Sequence, residues 1–190
     1  MLNKETLKRM LKKLAWDEPE FTMRINQSLI EQAFPVFHSK HELPEGYEFT
    51  KWGDVTDEEK AEIRKKQEAG PWFPNDVSPF LLEEIIEPDV SIALRFEGKI
   101  IGWLVIHRIT HETLEYTSLF VEDEHRSFKI GHLLMGEGIN RQAAQEKYPK
   151  FLFTAKAENK TMVRFIERNG PVNGMVVTDV FKVTKALVED

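Results

Sequence analysis

The chain contains no cysteine. Disulfides, thiolate metal sites and cysteine nucleophiles are thereby excluded, and nothing points to an oxidising compartment. The cytoplasm is the expected location. No apolar run is long enough to cross a bilayer, and Met1-Leu2-Asn3-Lys4-Glu5 lacks the charged-then-apolar order of a signal peptide. Basic charge is in deficit. With 26 Lys and Arg against 32 Asp and Glu, the net charge of -6 disfavours nucleic acid and anionic membranes as partners, and it is compatible with a cationic substrate. His107 and His111 flank one hairpin, but no carboxylate cluster of ligand spacing accompanies them, so no metal site is expected. There is no internal repeat. What remains is a chain of 190 residues, 41% hydrophobic and 31% charged, sized for one domain with a single core and a terminal extension.

Periodicity orders the elements. Leu7, Met10, Leu11 and Leu14 follow helical spacing, which predicts an amphipathic helix over Asn3–Leu14 docked by its leucines. Residues 17–44 are ambiguous, with short strands near Met23–Ile30 and Pro35–His38 as one reading. Tyr47–Trp52 reads as a strand. Thr56 and Glu59 then form a Thr-x-x-Glu capping box, opening a helix that stops at Gly70-Pro71. A second short helix is expected around Phe80–Ile86. Val90–Phe96, Ile100–Ile109 and Thr113–Val121 alternate apolar and polar residues and make an antiparallel meander. Gly131–Gln145 reads as a helix, Phe151–Ala155 as a strand, Asn159–Arg168 as a helix and Met175–Leu187 as a strand. The expected class is α/β (α+β): a mixed, largely antiparallel central sheet flanked by helices.

The stretch Leu119-Phe120-Val121-Glu122-Asp123-Glu124-His125-Arg126-Ser127-Phe128-Lys129-Ile130-Gly131-His132 carries the chemistry. A buried strand runs out, the chain turns, and a helix begins at a glycine. Such a turn aims backbone N–H groups at one point where the helix dipole also favours an anion, the cradle that a diphosphate needs. Arg126, Lys129 and His132 add positive charge in an acidic chain.

Arg126-Ser127-Phe128-Lys129-Ile130-Gly131 resembles the pyrophosphate-binding motif Q/R-x-x-G-x-G/A of the GNAT superfamily of acetyl-CoA-dependent N-acetyltransferases, with Val121 where that family usually has valine. Asn159-Lys160-Thr161-Met162-Val163-Arg164-Phe165-Ile166-Glu167-Arg168-Asn169-Gly170 is similar to its N-x-x-A-x-x-L-Y-E-x-x-G helix, and Gly98 and Gly102 fit its second and third strands. The resemblance covers about three quarters of the chain. It implies the acyl-CoA N-acyltransferase (GNAT) fold over residues 46–190, with residues 1–45 as an N-terminal helical extension packed on the body. It implies that the backbone of Phe120 and Val121 pairs with the pantetheine arm and polarises the thioester carbonyl. Amides of Ser127, Phe128, Lys129, Ile130, Gly131 and His132, next to Arg126, would hold the pyrophosphate. Asn159 would contact the pantetheine, or else serve as a plain helix N-cap. Lys129 replaces a motif glycine, which carries strain if the turn requires φ > 0. Ile166 stands where many relatives have a tyrosine thought to protonate the departing thiolate.

The expected reaction is direct attack of an amine on acetyl-CoA, with no metal. The acceptor is a small-molecule or protein amine. Glu115 is the candidate base and Tyr116 the second candidate, as base relay or acid; strand alternation puts them on opposite faces, and a bulge before Val121 would exchange the faces. Trp72, Phe73 and Phe80 either line the acceptor pocket or plug a local core. The alternative is a non-catalytic GNAT-fold acyl-CoA-binding or regulatory module. The chain after Gly170 is short for a closing hairpin, so the expected edge strand comes either from residues 20–45 or from a neighbouring subunit, the latter making a homodimer.

Overall fold

The computed structural model of the chain describes residues 20–29, 42–126, 129–145, 147–156, 159, 160, 162, 164 and 176–184. The strands are β1 (Glu20–Leu29), β2 (Tyr47–Lys51), β3 (Ile92–Phe96), β4 (Lys99–Arg108), β5 (Thr113–Val121), β6 (Lys150–Lys156) and β7 (Val176–Thr184). Two longer helices are described, α1 (Asp57–Ala69) and α2 (Ile130–Ala144). Neither is long and apolar enough to cross a membrane. The predicted helix at Asn3–Leu14 and the strand near Pro35–His38 lie outside the described residues.

These residues form two compact units. One holds β1, Arg108–Tyr116, β6 and β7. Within it, the start of β5 pairs in parallel with β6, from Thr113 opposite Lys150 to Tyr116 opposite Phe153. On the far edge of β6, β1 runs antiparallel from Met23 opposite Lys156 to Leu29 opposite Lys150. The other edge of β1 carries β7, also antiparallel, with a register shift at Ile25/Asn26. The ambiguous segment 17–44 therefore contains a strand, and that strand lies inside a ladder with a partner on each side.

The second unit holds residues up to His107 from β2 onward and Thr117–Gln145. Here β2, β3, β4 and β5 are consecutive neighbours. Tyr47–Lys51 pairs antiparallel with Phe96–Ile92, and β3 pairs antiparallel with β4 across the turn at Glu97-Gly98. Glu122 N–H donates to Ile101 C=O at 2.9 Å where β4 and β5 end their run together. Alternation separates the two faces. Ala93, Trp103, Val105 and Phe120 join Trp52, Val55, Ile63 of α1 and Phe73 in one cluster, all at most 5% exposed. Ile92, Leu94, Leu104 and Ile106 are buried on the alternate positions, and α2 packs against β3.

The expected short helix at Phe80–Ile86 is not formed. Only single 3-10 turns occur, at Asn75–Val77 and Glu83–Ile85. Pro74 and Pro79 punctuate the segment, and Leu82 adopts a left-handed conformation with φ 50°, which ends any helical run.

Candidate active site

The junction of β5 and α2 is built by local chemistry. Past Val121 the chain makes a 3-10 turn at Asp123–His125. Arg126 then folds back, its Nε–H donating to Val121 C=O at 2.9 Å while its guanidinium pairs with Asp123 at 2.7 Å. The same guanidinium carbon lies 6.0 Å from the centre of the Phe120 ring. Val121, the last residue of the strand, is thus pinned by the side chain of the residue that starts the anion motif. On the facing strand, a Cβ added to Gly102 would come within 2.5 Å of Phe120 C=O, so only glycine lets β4 approach the end of β5 this closely.

Helix α2 starts at Lys129, which adopts φ 59°, ψ 26° and makes no side-chain cap. The turn does require φ > 0, and the lysine carries the corresponding strain. The first turn of α2 contains no acidic residue. The amides of His132 and Leu133 donate to Lys129 C=O at 2.9 and 3.0 Å. Ile130 and Gly131 supply the leading N–H groups that no carbonyl of their own helix reaches. A side chain built at Gly131 would meet nothing within 4 Å among the described residues. Ser127 and Phe128 lie outside the described residues, as does Ile166. Asn159 is exposed, and its Oδ1 accepts the Met162 N–H at 3.1 Å. That is the geometry of a helix N-cap.

Tyr116 is buried and packs against Phe151, with ring centres 5.8 Å apart, and burial pushes its phenol well above the ordinary range. Glu115 is 2% exposed. Thr117 Oγ1 hydrogen-bonds His107 Nδ1 at 2.9 Å. Ser118 accepts from Trp103 Nε1 at 3.0 Å and donates to Val77 C=O. His107 is fully buried, whereas His111 stands out in solvent beside Glu112. No group of three metal-ligating side chains occurs among the described residues.

A pocket of about 300 Å³ lies on the α1 side of this unit, walled by α1, the β3–β4 turn, Trp72 and Glu122. Trp72 is its aromatic wall and touches the Phe120 ring edge-on at 5.8 Å. Phe73 is instead a core plug, 4% exposed, and Phe80 stacks beneath the Arg64 guanidinium at 3.9 Å. Sequence reading missed two features here. One is the contact of Tyr47 OH with His125 Nδ1 at 2.8 Å, which joins β2 to the motif turn. The other is the part played by Lys66 and Glu122 in the pocket. Both depend on residues 56 to 78 positions apart, and no local pattern signals them.

The sequence profile of the acetyltransferase (GNAT) family matches residues 39–170. No curated protein matches the chain. Among solved structures, a GCN5-related N-acetyltransferase from Sphaerobacter thermophilus is similar at TM-score 0.57 and 17% identity, over 97% of this chain and 58% of that one. Another from Kribbella flavida gives 0.54 and 14%, over 92% and 63%. A tandem GNAT protein from the clavulanic acid biosynthesis pathway gives 0.61 and 14%, over 86% and 53%. The chain therefore spans less than two thirds of each of these proteins, and at such identities the likeness establishes the fold alone.

Proposed function

The chain belongs to the acetyltransferase (GNAT) family, and from that premise we propose that it transfers an acetyl group from acetyl-CoA to the primary amine of a small molecule or a protein, in the cytoplasm. The observation that carries the reading is the start of α2. Helix α2 is the next helix after β5, beyond the turn at Asp123–His125. Its N-cap Lys129 makes no side-chain cap, its first turn holds no acid, and a side chain at Gly131 would meet nothing within 4 Å among the described residues. The leading amides of Ile130 and Gly131 would hold the pyrophosphate, aided by the helix dipole and by the positive charge of Lys129 and Arg126. In this reading Arg126 also fixes the end of the strand along which Phe120 and Val121 would meet the pantetheine arm.

Acetyl-CoA supplies the acetyl group as an activated thioester. The amine nitrogen attacks its carbonyl carbon, the C–N bond forms, the C–S bond breaks, and the sulfur leaves as thiolate. An alkylammonium of pKa about 10.4 must first lose a proton, at a cost of roughly 4–5 kcal/mol at neutral pH. Glu115 is the proposed acceptor of that proton. Tyr116 stays neutral far above neutral pH because of its burial, so it can donate a hydrogen bond but cannot act as a phenolate base. Strand amides near Phe120 would stabilise the oxyanion. With Ile166 in place of a tyrosine, the thiolate takes its proton from solvent, which its reference pKa near 8.5 permits.

Calorimetric titration with acetyl-CoA tests the proposal, with 3′-dephospho-CoA and ATP as controls. Binding that is lost in Gly131→Asp, in a protein that still melts cooperatively, is the expected result. No binding to the folded wild type removes the reading. Binding without thiol release across a panel of amines leaves a binding module in place of an enzyme.

A further inference from the structure

The pocket beside α1 already contains a cation. Lys66 Nζ lies 3.6 Å from the centre of the Trp72 ring and is ion-paired with Glu122. Face and carboxylate together are the acceptor set that recognises an alkylammonium. Glu62, one helical turn before Lys66, also lines the pocket and forms no ion pair among the described residues. Ile63, Ile100 and Ile101 supply an apolar floor.

The two partners differ in how firmly they are held. The Lys66 side chain is 52% exposed, whereas that of Glu122 is 20% exposed. Trp72 is locked edge-on against Trp103 at 5.6 Å and Phe120 at 5.8 Å. The lysine can swing into solvent while ring and carboxylate stay in place. Glu59, the third carboxylate in the wall, is already bound by Arg95. With Lys66 withdrawn, Glu62 and Glu122 face only Lys99, and the pocket is left one positive charge short.

We infer that this pocket is a subsite for a primary alkylammonium on an apolar stem, and that Lys66 is its internal occupant, displaced when such an amine binds. The inference rests on the acetyltransferase reading for its purpose: the amine would be the acceptor, and the Trp72–Phe120 contact would join its subsite to the strand residue assigned to the thioester. Its ligand chemistry stands on the pocket alone. Resident Lys66 competes with every incoming amine, so the apparent affinity of the wild type is lowered by the fraction of time the site is occupied.

The test titrates n-pentylamine into the full chain and into Lys66→Ala, with n-pentanol as the uncharged control and Nα-acetyl-lysine methylamide as the peptidyl form of the same chemistry. The expected result is that Lys66→Ala binds pentylamine at least about tenfold more tightly than wild type, that pentanol shows no such gain, and that adding Glu122→Gln abolishes it. Tighter binding of the lysine derivative than of pentylamine identifies a protein acceptor, and the reverse a small molecule. Trp72→Leu is a second probe; should it melt early, Glu122→Gln decides, since that change removes the charge and keeps the side chain's size and shape. The inference is overturned if Lys66→Ala gains nothing, or if the gain survives Glu122→Gln or appears equally with pentanol. Acetyl-CoA titrated into the same variant separates the two ideas. Cofactor binding without amine binding overturns the subsite alone, and amine binding without cofactor binding leaves the subsite and removes the transferase.

Discussion

The two helices of the second unit begin in opposite ways. At α1, Thr56 Oγ1 accepts the Glu59 N–H at 3.2 Å, Glu59 accepts the Thr56 N–H at 3.0 Å, and the first turn holds Asp57, Glu58 and Glu59. Every feature there satisfies the helix from within. At α2 the first turn holds no acid, and the cap residue is a lysine in a left-handed conformation that makes no side-chain cap. Burial explains how the fold tolerates the difference. Helix α1 buries only Ile63, whereas α2 buries Ile130, Leu133, Leu134, Met135 and Ile139 among others. At roughly 1.5–3 kcal/mol for each large apolar side chain, α2 is held by its face and can leave its start open. Helix α1 relies more on its cap and on polar ties, such as Gln67 to the backbone of Trp72 and Phe73. One start is closed by its own side chains, and the other is the start assigned to the pyrophosphate in the proposed function.

Exchanging the two designs gives the largest effect. Gly131 and His132 occupy the second and third positions of α2, as Glu58 and Glu59 do in α1. Gly131→Asp with His132→Glu gives α2 the acidic first turn of α1. A carboxylate about 5 Å from a phosphate at an effective dielectric of about 20 costs about 3 kcal/mol, or about 100-fold in affinity. Acetyl-CoA binding by calorimetry is expected to fall by at least that factor, with the melting temperature unchanged or slightly raised. The reverse experiment removes the cap of α1. Thr56→Ala is expected to destabilise the fold by about 1 kcal/mol, or about 2–4 °C in a chain of this length, while acetyl-CoA affinity stays constant. A drop in affinity equal to that of the α2 variant would erase the distinction.

The same contrast shows what the sequence made legible. The capping box was readable because Thr56 and Glu59 are three residues apart and the motif is its own explanation. The strands β3, β4 and β5 were readable from alternation, and β5 ends at the expected residues. The start of α2 was readable only as an alternative: Lys129 was strained or relaxed according to a φ angle that residue types do not encode. The helix expected at Phe80–Ile86 failed because Leu82 turns left-handed there, a choice made by tertiary packing. The placement of β1 between β6 and β7 was out of reach, because strand order is decided by partners more than a hundred residues away. The pocket was legible only at Trp72, which was already a candidate lining residue. Glu62, Lys66 and Glu122 join it from a helix and a strand end, and each of these alone reads as a solvated charge.

Lys129 offers a sharper test of the open start. A left-handed conformation costs a non-glycine residue about 1–2 kcal/mol, part of which glycine gives back through the entropy of the unfolded chain. Lys129→Gly is therefore expected to stabilise the protein by about 0.5–1 kcal/mol in chemical denaturation, the opposite of the usual effect of introducing glycine. Loss of the ammonium is expected to weaken acetyl-CoA by a few-fold at low salt, and the deficit should shrink as ionic strength rises. A variant that is more stable and binds equally well would mean that the lysine contributes strain and no charge to the site.

The smallest effect is identified by its sign. Arg95 holds Glu59 bidentately, Nη1 at 2.5 Å and Nη2 at 3.0 Å, and this pairing, helped by the Thr56 N–H, keeps the Glu59 carboxyl below its ordinary range. A carboxyl lowered in the folded state adds stability that is complete above the unfolded value, near 4.5, and is lost as pH falls through the folded value. Glu59→Gln keeps an acceptor for the capping box and removes only the charge that Arg95 needs. Wild type is therefore expected to be the more stable of the two at pH 7, with the gap closing below about pH 4 as Glu59 itself protonates. The corresponding measurement at α2 is a blank, since its first turn carries no carboxylate to titrate. A gap that stays constant from pH 7 to pH 3 would mean that Gln fails as a cap and that the Arg95 pair contributes nothing. The stability of α1 would then rest on its hydrogen bonds alone, and charge would no longer distinguish the closed helix start from the open one.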